Sequence, residues 1–169
     1  MNLIGQYDSP FVRRVGIALT LYGIPFRQEP WSVFGDADQI RRYNPLTRVP
    51  TLVLDDGDSL IESHMILDHL DLVVGAARAL FPQTDPERRR ALKVAALATG
   101  VGDKAVSLFY ELRLHDKASD VFVARCRRQI NVRQAGSALL STITSVRCKS
   151  SYAPGARLMN ENASNRLRR

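Results

Sequence analysis

Leu3-Ile4-Gly5-Gln6-Tyr7-Asp8-Ser9-Pro10-Phe11-Val12-Arg13-Arg14-Val15 sets a short apolar run, a polar break and a helix signal side by side. Leu3 to Tyr7 has strand character. Asp8 or Ser9 can cap a helix, and Pro10 suits a first helical turn, where its missing N–H leaves no bond unmade. Phe11, Val15, Ala18, Leu19 and Tyr22 then recur at helical spacing. Gly23 tolerates the left-handed conformation that ends a helix, and Ile24-Pro25 begins a second extended piece. A strand, a helix and a second strand in this order imply a parallel pair joined by a crossover.

Working outward, Asp36 to Tyr43 has few apolar positions and reads as a weak helix broken by Asn44-Pro45-Leu46. Thr51 to Leu54 and Ser59 to Ile61 flank Asp55-Asp56-Gly57-Asp58, the pattern of a hairpin. Ile66, Leu67, Leu70, Val73 and Val74 return to helical spacing. The order βαβαββα suits an α/β, thioredoxin-like domain over residues 1–80. Phe81 to Pro86, with two prolines, is the linker candidate, and Asp85-Pro86 can cap and open a new helix. Residues 86–145 read as an incomplete all-α domain. Leu92, Ala95, Ala96, Val106, Phe109 and Tyr110 are available for one face, followed by Phe122, Cys126 and Ile130 at i, i+4, i+8. Ala138, Leu139 and Ile143 could prolong a helix. Residues 146–169 read as a basic, disordered tail.

The chain has 169 residues, 45% hydrophobic and 24% charged, which suits one globular domain or two small ones sharing a core. The net charge of +7 is concentrated near the end, where residues 131–169 hold seven basic side chains against Glu161 alone. Only Tyr152 offers a stacking ring there, so a solvated end is expected rather than a nucleic-acid partner. No apolar run is long enough for a membrane span, and the first residues lack the layout of a signal peptide, so a cytoplasmic location is expected. Cys126 and Cys148 form no CxxC motif, which argues against a disulfide framework and a metal site.

Read without reference to other proteins, Ser9 sits where a strand gives way to a helix, a place whose unpaired N–H groups favour an anion. On the residues alone a plain cap is the preferred reading. His64, His69 and His115 are isolated in sequence. Asp55, Asp56 and Asp58 resemble a carboxylate cluster, yet carboxylates around a glycine more often shape a turn. No phosphate-loop, dinucleotide-binding, nucleophile-elbow or HExxH motif is present.

Three fragments together, Tyr7 to Val15, Asn44-Pro45-Leu46-Thr47-Arg48-Val49-Pro50-Thr51-Leu52, and Leu60-Ile61-Glu62-Ser63-His64-Met65-Ile66-Leu67, resemble the cytosolic glutathione S-transferases of serine type, bacterial-like. The resemblance implies that Ser9 hydrogen-bonds the glutathione sulfur as a donor to the thiolate. It implies a cis peptide before Pro50, so that the main chain of Val49 pairs with the cysteinyl backbone of glutathione. Ser63 and the following helix would hold the γ-glutamyl carboxylate, Glu62 its ammonium, and Arg48 the glycyl carboxylate. The activity implied is conjugation of the glutathione thiolate, as co-substrate and without a metal, to a small electrophile, by a homodimer away from membranes. The alternative is a non-catalytic glutathione-binding or regulatory protein of the same fold, or an inactive truncated product.

Two departures accompany the resemblance. Ser9 stands where redox-active relatives carry cysteine, and a hydroxyl cannot form a mixed disulfide. The second domain is short for the family, and nothing from Arg133 to Arg169 matches its later helices, so a truncated or out-of-frame end is expected after about residue 130.

Overall fold

β1 (Asn2–Ile4) stops at Gly5, whose φ of 129° turns the chain away from the strand. It is therefore shorter than the Leu3–Tyr7 run, and Arg13 closes the turn by donating from Nε and Nη2 to the Tyr7 carbonyl at 2.9 and 2.6 Å. In this computed structural model, which describes residues 1–131, Ser9 caps α1 (Pro10–Tyr22). Its Oγ accepts from the Val12 N–H at 3.4 Å. At the other end Gly23 takes φ 66°, its N–H bonding the Thr20 carbonyl while that of Ile24 reaches Leu19.

β2 (Arg27–Glu29) pairs parallel with β1, setting Leu3 beside Gln28. After α2 (Ala37–Arg41), β3 (Thr51–Val53) pairs antiparallel on the other side of β1, and β4 (Ser59–Ile61) closes the hairpin. The sheet order is β2-β1-β3-β4, the mixed thioredoxin-like sheet. Asp56, Gly57 and Asp58 shape the hairpin turn, with Asp56 Oδ1 accepting from the Asp58 N–H at 3.0 Å. They are turn formers.

Because side chains alternate across a strand, the sheet serves two cores. Leu3 and Leu52 face Val12, Val15 and Leu19 of α1 and Ile66 and Leu70 of α3 (Ser63–Val74). Ile4 and Val53 face Ile40 of α2, with Trp31 and Val33 packed around them. Each fully buried aliphatic side chain contributes about 1.5–3 kcal/mol relative to exposure.

Past α3, one buried carboxylate ties the connection down. Asp71 accepts from the Leu80 N–H at 3.0 Å and the Phe81 N–H at 3.1 Å, and the Tyr22 hydroxyl donates to it. Arg78 donates to the Tyr22 carbonyl. Burial, together with Asp71, raises the Tyr22 pKa well above its ordinary value. The chain then enters α4 (Glu87–Leu114) as a single long helix. Asp85 does not cap it. Pro86 holds the cap position, and the Asp85 carboxylate instead lies 4.0 Å from Arg89. Ser119 caps α5 (Asp120–Ile130), where Cys126 is buried. Ala138, Leu139, Ile143, the 86–145 boundary and the 146–169 tail fall outside the described residues. No helix among the described residues is long and apolar enough to cross a membrane.

Gly5 is the tightest point of this arrangement. A Cβ there would stand 2.5 Å from Val12 Cγ2 and 2.8 Å from Val49 Cβ. Gly5→Ala combines that overlap with a backbone conformation that L side chains rarely adopt. We expect it to destabilise the fold by at least about 2 kcal/mol, measured as a lower midpoint in urea unfolding. Gly35→Ala, where an added Cβ meets nothing within 4 Å, should leave the midpoint nearly unchanged.

Candidate functional site

Three segments of the first half converge on one cleft, with α4 as the facing wall. The cleft has a volume of about 510 Å³ and is lined by Phe11 and Arg14 of α1, the Arg48-Val49-Pro50 loop, Glu62 to His64, and Leu92 to Asp103 of α4. It thus gathers Arg48, Val49, Pro50, Glu62 and Ser63, although 12 residues or more separate the two groups in sequence.

The Val49-Pro50 peptide is cis, and Pro50 is buried. The loop before it is organised by Asn44, which is 1% exposed. Asn44 Nδ2 donates to the Arg48 carbonyl at 2.9 Å and to Thr51 Oγ1 at 3.2 Å, and its Oδ1 accepts from the Leu46 N–H at 3.0 Å. Thr51 Oγ1 donates in turn to the Arg48 carbonyl at 3.1 Å. With Arg48 held in this way, no backbone group among the described residues pairs with the N–H or C=O of Val49. That leaves a donor and an acceptor for an extended peptide laid along the loop.

Across the cleft, Glu62 precedes α3 at φ 66° and ψ 122°, a sparsely populated region for a residue with a Cβ. This turn brings Ser63, 4% exposed, to the helix mouth. The first intrahelical bond of α3 runs from the Ile66 N–H to the Glu62 carbonyl, so the N–H groups of Ser63, His64 and Met65 precede the helical ladder. Together with the helix dipole they favour a carboxylate. The Glu62 carboxylate pairs with Arg48 at 2.7 Å. Arg14 donates to Ser63 Oγ at 3.2 Å, and its half-buried guanidinium has its pKa lowered by desolvation. Arg88 of α4 bridges to Asp68 of α3 at 3.1 Å, fastening the two walls.

Ser9 lies at the mouth of α1, two residues before Phe11, and is not one of the residues lining the cleft. Tyr7, the neighbouring hydroxyl, also lies outside the lining. It packs near Gly16, where a Cβ would meet its Oη at 2.6 Å, and burial raises its pKa. Of the histidines, His64 lines the cleft, while His115 pairs with Glu111 at 2.9 Å far along α4. Among the described residues no group of three or more His, Cys, Asp or Glu is placed to hold a metal ion.

Comparison with known proteins agrees with this geometry. Residues 3–74 match the family described as glutathione S-transferase, N-terminal domain. A glutathione transferase family member from Pseudomonas fluorescens Pf-5, solved with bound glutathione, is 31% identical at a TM-score of 0.74, the match covering 85% of this chain and 74% of that one. The chain belongs to the glutathione S-transferase family. A glutathione S-transferase from Methylobacterium radiotolerans, in complex with glutathione sulfonate, is 32% identical, also with a TM-score of 0.74, covering 86% of this chain and 68% of that one. The GST-like protein YibF of Escherichia coli K12 is 33% identical over 78% of this chain and 65% of its own length. The chain spans less than two thirds of the curated relatives it matches.

Three residues that shape or line this cleft were not singled out from sequence: Gly5, Asn44 and Arg14. The only sequence sign of Asn44 was its place before a proline in a loop, where a side-chain amide can substitute for backbone pairing. Asn44→Ala should cost about 2 kcal/mol in urea unfolding, because the Arg48 carbonyl loses a buried donor. Asn44→Asp should cost more, since a carboxylate cannot donate to that carbonyl and is repelled by it. Equal midpoints for all three proteins would show that the amide does not organise the loop.

Proposed function

We propose that the chain binds glutathione in this cleft and conjugates its thiolate to a small electrophile. The observation that carries the reading is the convergence of Val49, Glu62 and Ser63 on one cleft, in a family whose solved members hold glutathione. The cysteinyl main chain pairs with the N–H and C=O of Val49. The γ-glutamyl carboxylate sits at the mouth of α3 on Ser63, Glu62 accepts from the ammonium, and Arg48 serves the glycyl carboxylate. In this reading residues 1–80 form the glutathione-binding domain and residues 86–145 its helical partner. The small side chains of Ala95, Ala96 and Thr99 leave room for the electrophile. Assembly as a homodimer belongs to the same proposal.

Ser9 acts as a hydrogen-bond donor. Its Oγ already accepts from the Val12 N–H, which leaves the hydroxyl hydrogen free to point at a sulfur anion. A free thiol of pKa about 8.5 is only a few per cent ionised at neutral pH. Lowering that value by two units takes about 2.7 kcal/mol of preferential thiolate stabilisation. A charge-assisted hydrogen bond with a helix N-terminus behind it is of that order. A hydroxyl cannot serve as the base, and thiol–disulfide exchange has no sulfur to use at this position.

A second reading is favoured by one observation: Ser9 is not among the cleft's lining residues. That arrangement suits a protein that binds glutathione without activating it. Retention on immobilised glutathione, and turnover with a chlorinated aromatic electrophile, separate the two. For the catalytic reading, Ser9→Ala should keep retention, lower kcat/KM about 25-fold at pH 7, and move the alkaline rise of its pH profile upward by about two units. An unchanged profile would remove Ser9 from the chemistry and leave the binding module. No retention of the wild-type chain would end both readings.

A further inference from the structure

Two residues of α1 that do not line the cleft meet on the same neighbour. Arg13 and Gly16 are three positions apart, so they share one face of the helix. Arg13 donates from Nε and Nη2 to the Tyr7 carbonyl at 2.9 and 2.6 Å. Gly16 lies against the tip of the Tyr7 ring, where an added Cβ would stand 2.6 Å from Oη and 2.7 Å from Cε1. Tyr7 is therefore seated on α1 by its main chain and by its ring. It lies midway along the turn from Gly5 to Ser9, and the Gly5 end of that turn is pressed against Val12 and Val49. At the other end the Ser9 N–H donates to the Gln6 carbonyl at 3.2 Å, and the Arg13 N–H donates to the Ser9 carbonyl at 3.0 Å. Arg13 thus holds the carbonyls on both sides of Asp8, one by its main chain and one by its side chain. It has no ion-pair partner among the described residues, and Asp8, the nearest carboxylate in sequence, is exposed. A rigid guanidinium fork closed on one carbonyl fixes direction as well as distance.

We infer that Arg13 is a positioning residue: with Gly16 it seats Tyr7 on α1 and thereby sets where the Ser9 hydroxyl stands. This rests on the reading of Ser9 as a donor to the thiolate. Arg13 is not one of the residues lining the cleft, so it acts through the turn and not on glutathione. A hydrogen bond weakens steeply as its angle and length depart from their optimum. A loosened turn therefore weakens the hold on the sulfur while Val49, Glu62 and Ser63 keep their places. Both side-chain bonds of Arg13 are solvent-exposed, so their loss should matter little to overall stability.

The test titrates the thiol of bound glutathione by the ultraviolet absorbance of its thiolate, beside retention on immobilised glutathione and the urea midpoint. Arg13→Met should keep retention and the urea midpoint. It should raise the midpoint of the thiol titration by about 0.5–1 unit and lower kcat at pH 6 about three- to eightfold. Arg13→Lys restores a donor without the fork and should recover part of that shift. Gly16→Ala reaches the same turn from the other side. It favours the helix yet displaces the Tyr7 ring, and should move the titration in the same direction. In a Ser9→Ala background Arg13→Met should add no further shift, because the hydroxyl it positions is gone. A full additional shift in that background would overturn the inference. So would an unchanged titration for Arg13→Met beside a shifted one for Ser9→Ala. Lower retention or a lower urea midpoint with no movement of the titration would show a structural role only, and would overturn it as well. If Arg13→Met proves unfolded by circular dichroism, Arg13→Lys and Gly16→Ala carry the same comparison. An unchanged titration for Ser9→Ala itself fails the donor reading, and the inference with it, before Arg13 is varied.

Discussion

The close approach at Gly5 is the constraint on which the rest of the molecule depends. The end of β1, the first turn of α1 and the loop carrying Val49 meet around a residue with no side chain. Any Cβ there would push Val12 and Val49 apart. Val12 belongs to the main core, and its N–H is the one that Ser9 caps. The spacing at Gly5 therefore fixes the cap serine and the peptide-presenting loop relative to each other. In the proposed site, where one hydroxyl would hold a sulfur and one residue a main chain, slack between the two would be costly.

The remaining contacts extend that fixed corner into a cleft. Asn44 occupies the carbonyl of Arg48 and so leaves the next residue as the one with spare backbone groups. The unusual φ of Glu62 turns the chain sharply into α3, so that a carboxylate and a buried hydroxyl become neighbours at a helix mouth. Such a conformation costs of order 1–3 kcal/mol and persists only where the surroundings enforce it. Here β4 precedes it and α3 follows it directly, and both are packed against the core. The strain falls on a residue that lines the cleft.

Much of the fold was legible in sequence because it is written in local rules. Pro10, Gly23 and the Asp-Gly turn each report a backbone conformation that few other residues satisfy, and the two short apolar runs beside that turn report the hairpin. The residues proposed for glutathione binding were singled out only through the family resemblance, since Val49 would act by its main chain and carries no chemical mark. Gly5, Asn44 and Asp71 were not legible because their role is set by partners distant in the chain: Val49 for Gly5, Arg48 and Thr51 for Asn44, Tyr22 and Leu80 for Asp71. Asp85 misled for the opposite reason. A good capping residue stood beside a proline, but it was the proline itself that took the cap position, leaving the carboxylate to Arg89.

The two walls of the cleft are held by different physics, and that difference bears on function. The first-half wall grows out of a closed core, with aliphatic side chains from α1, α3 and the sheet fully removed from water. The facing wall is a helix in which no residue is buried among the described part of the chain. It is held across the cleft by the Arg88–Asp68 pair and by Gly102 lying against Pro10 and Phe11. An exposed ion pair contributes at most about 1 kcal/mol, so α4 is the more easily displaced partner. The residues proposed to hold glutathione, Val49, Glu62 and Ser63, all line the cleft from that rigid wall. The small residues of α4 present an adjustable surface, suited to a ligand recognised by shape rather than by charge.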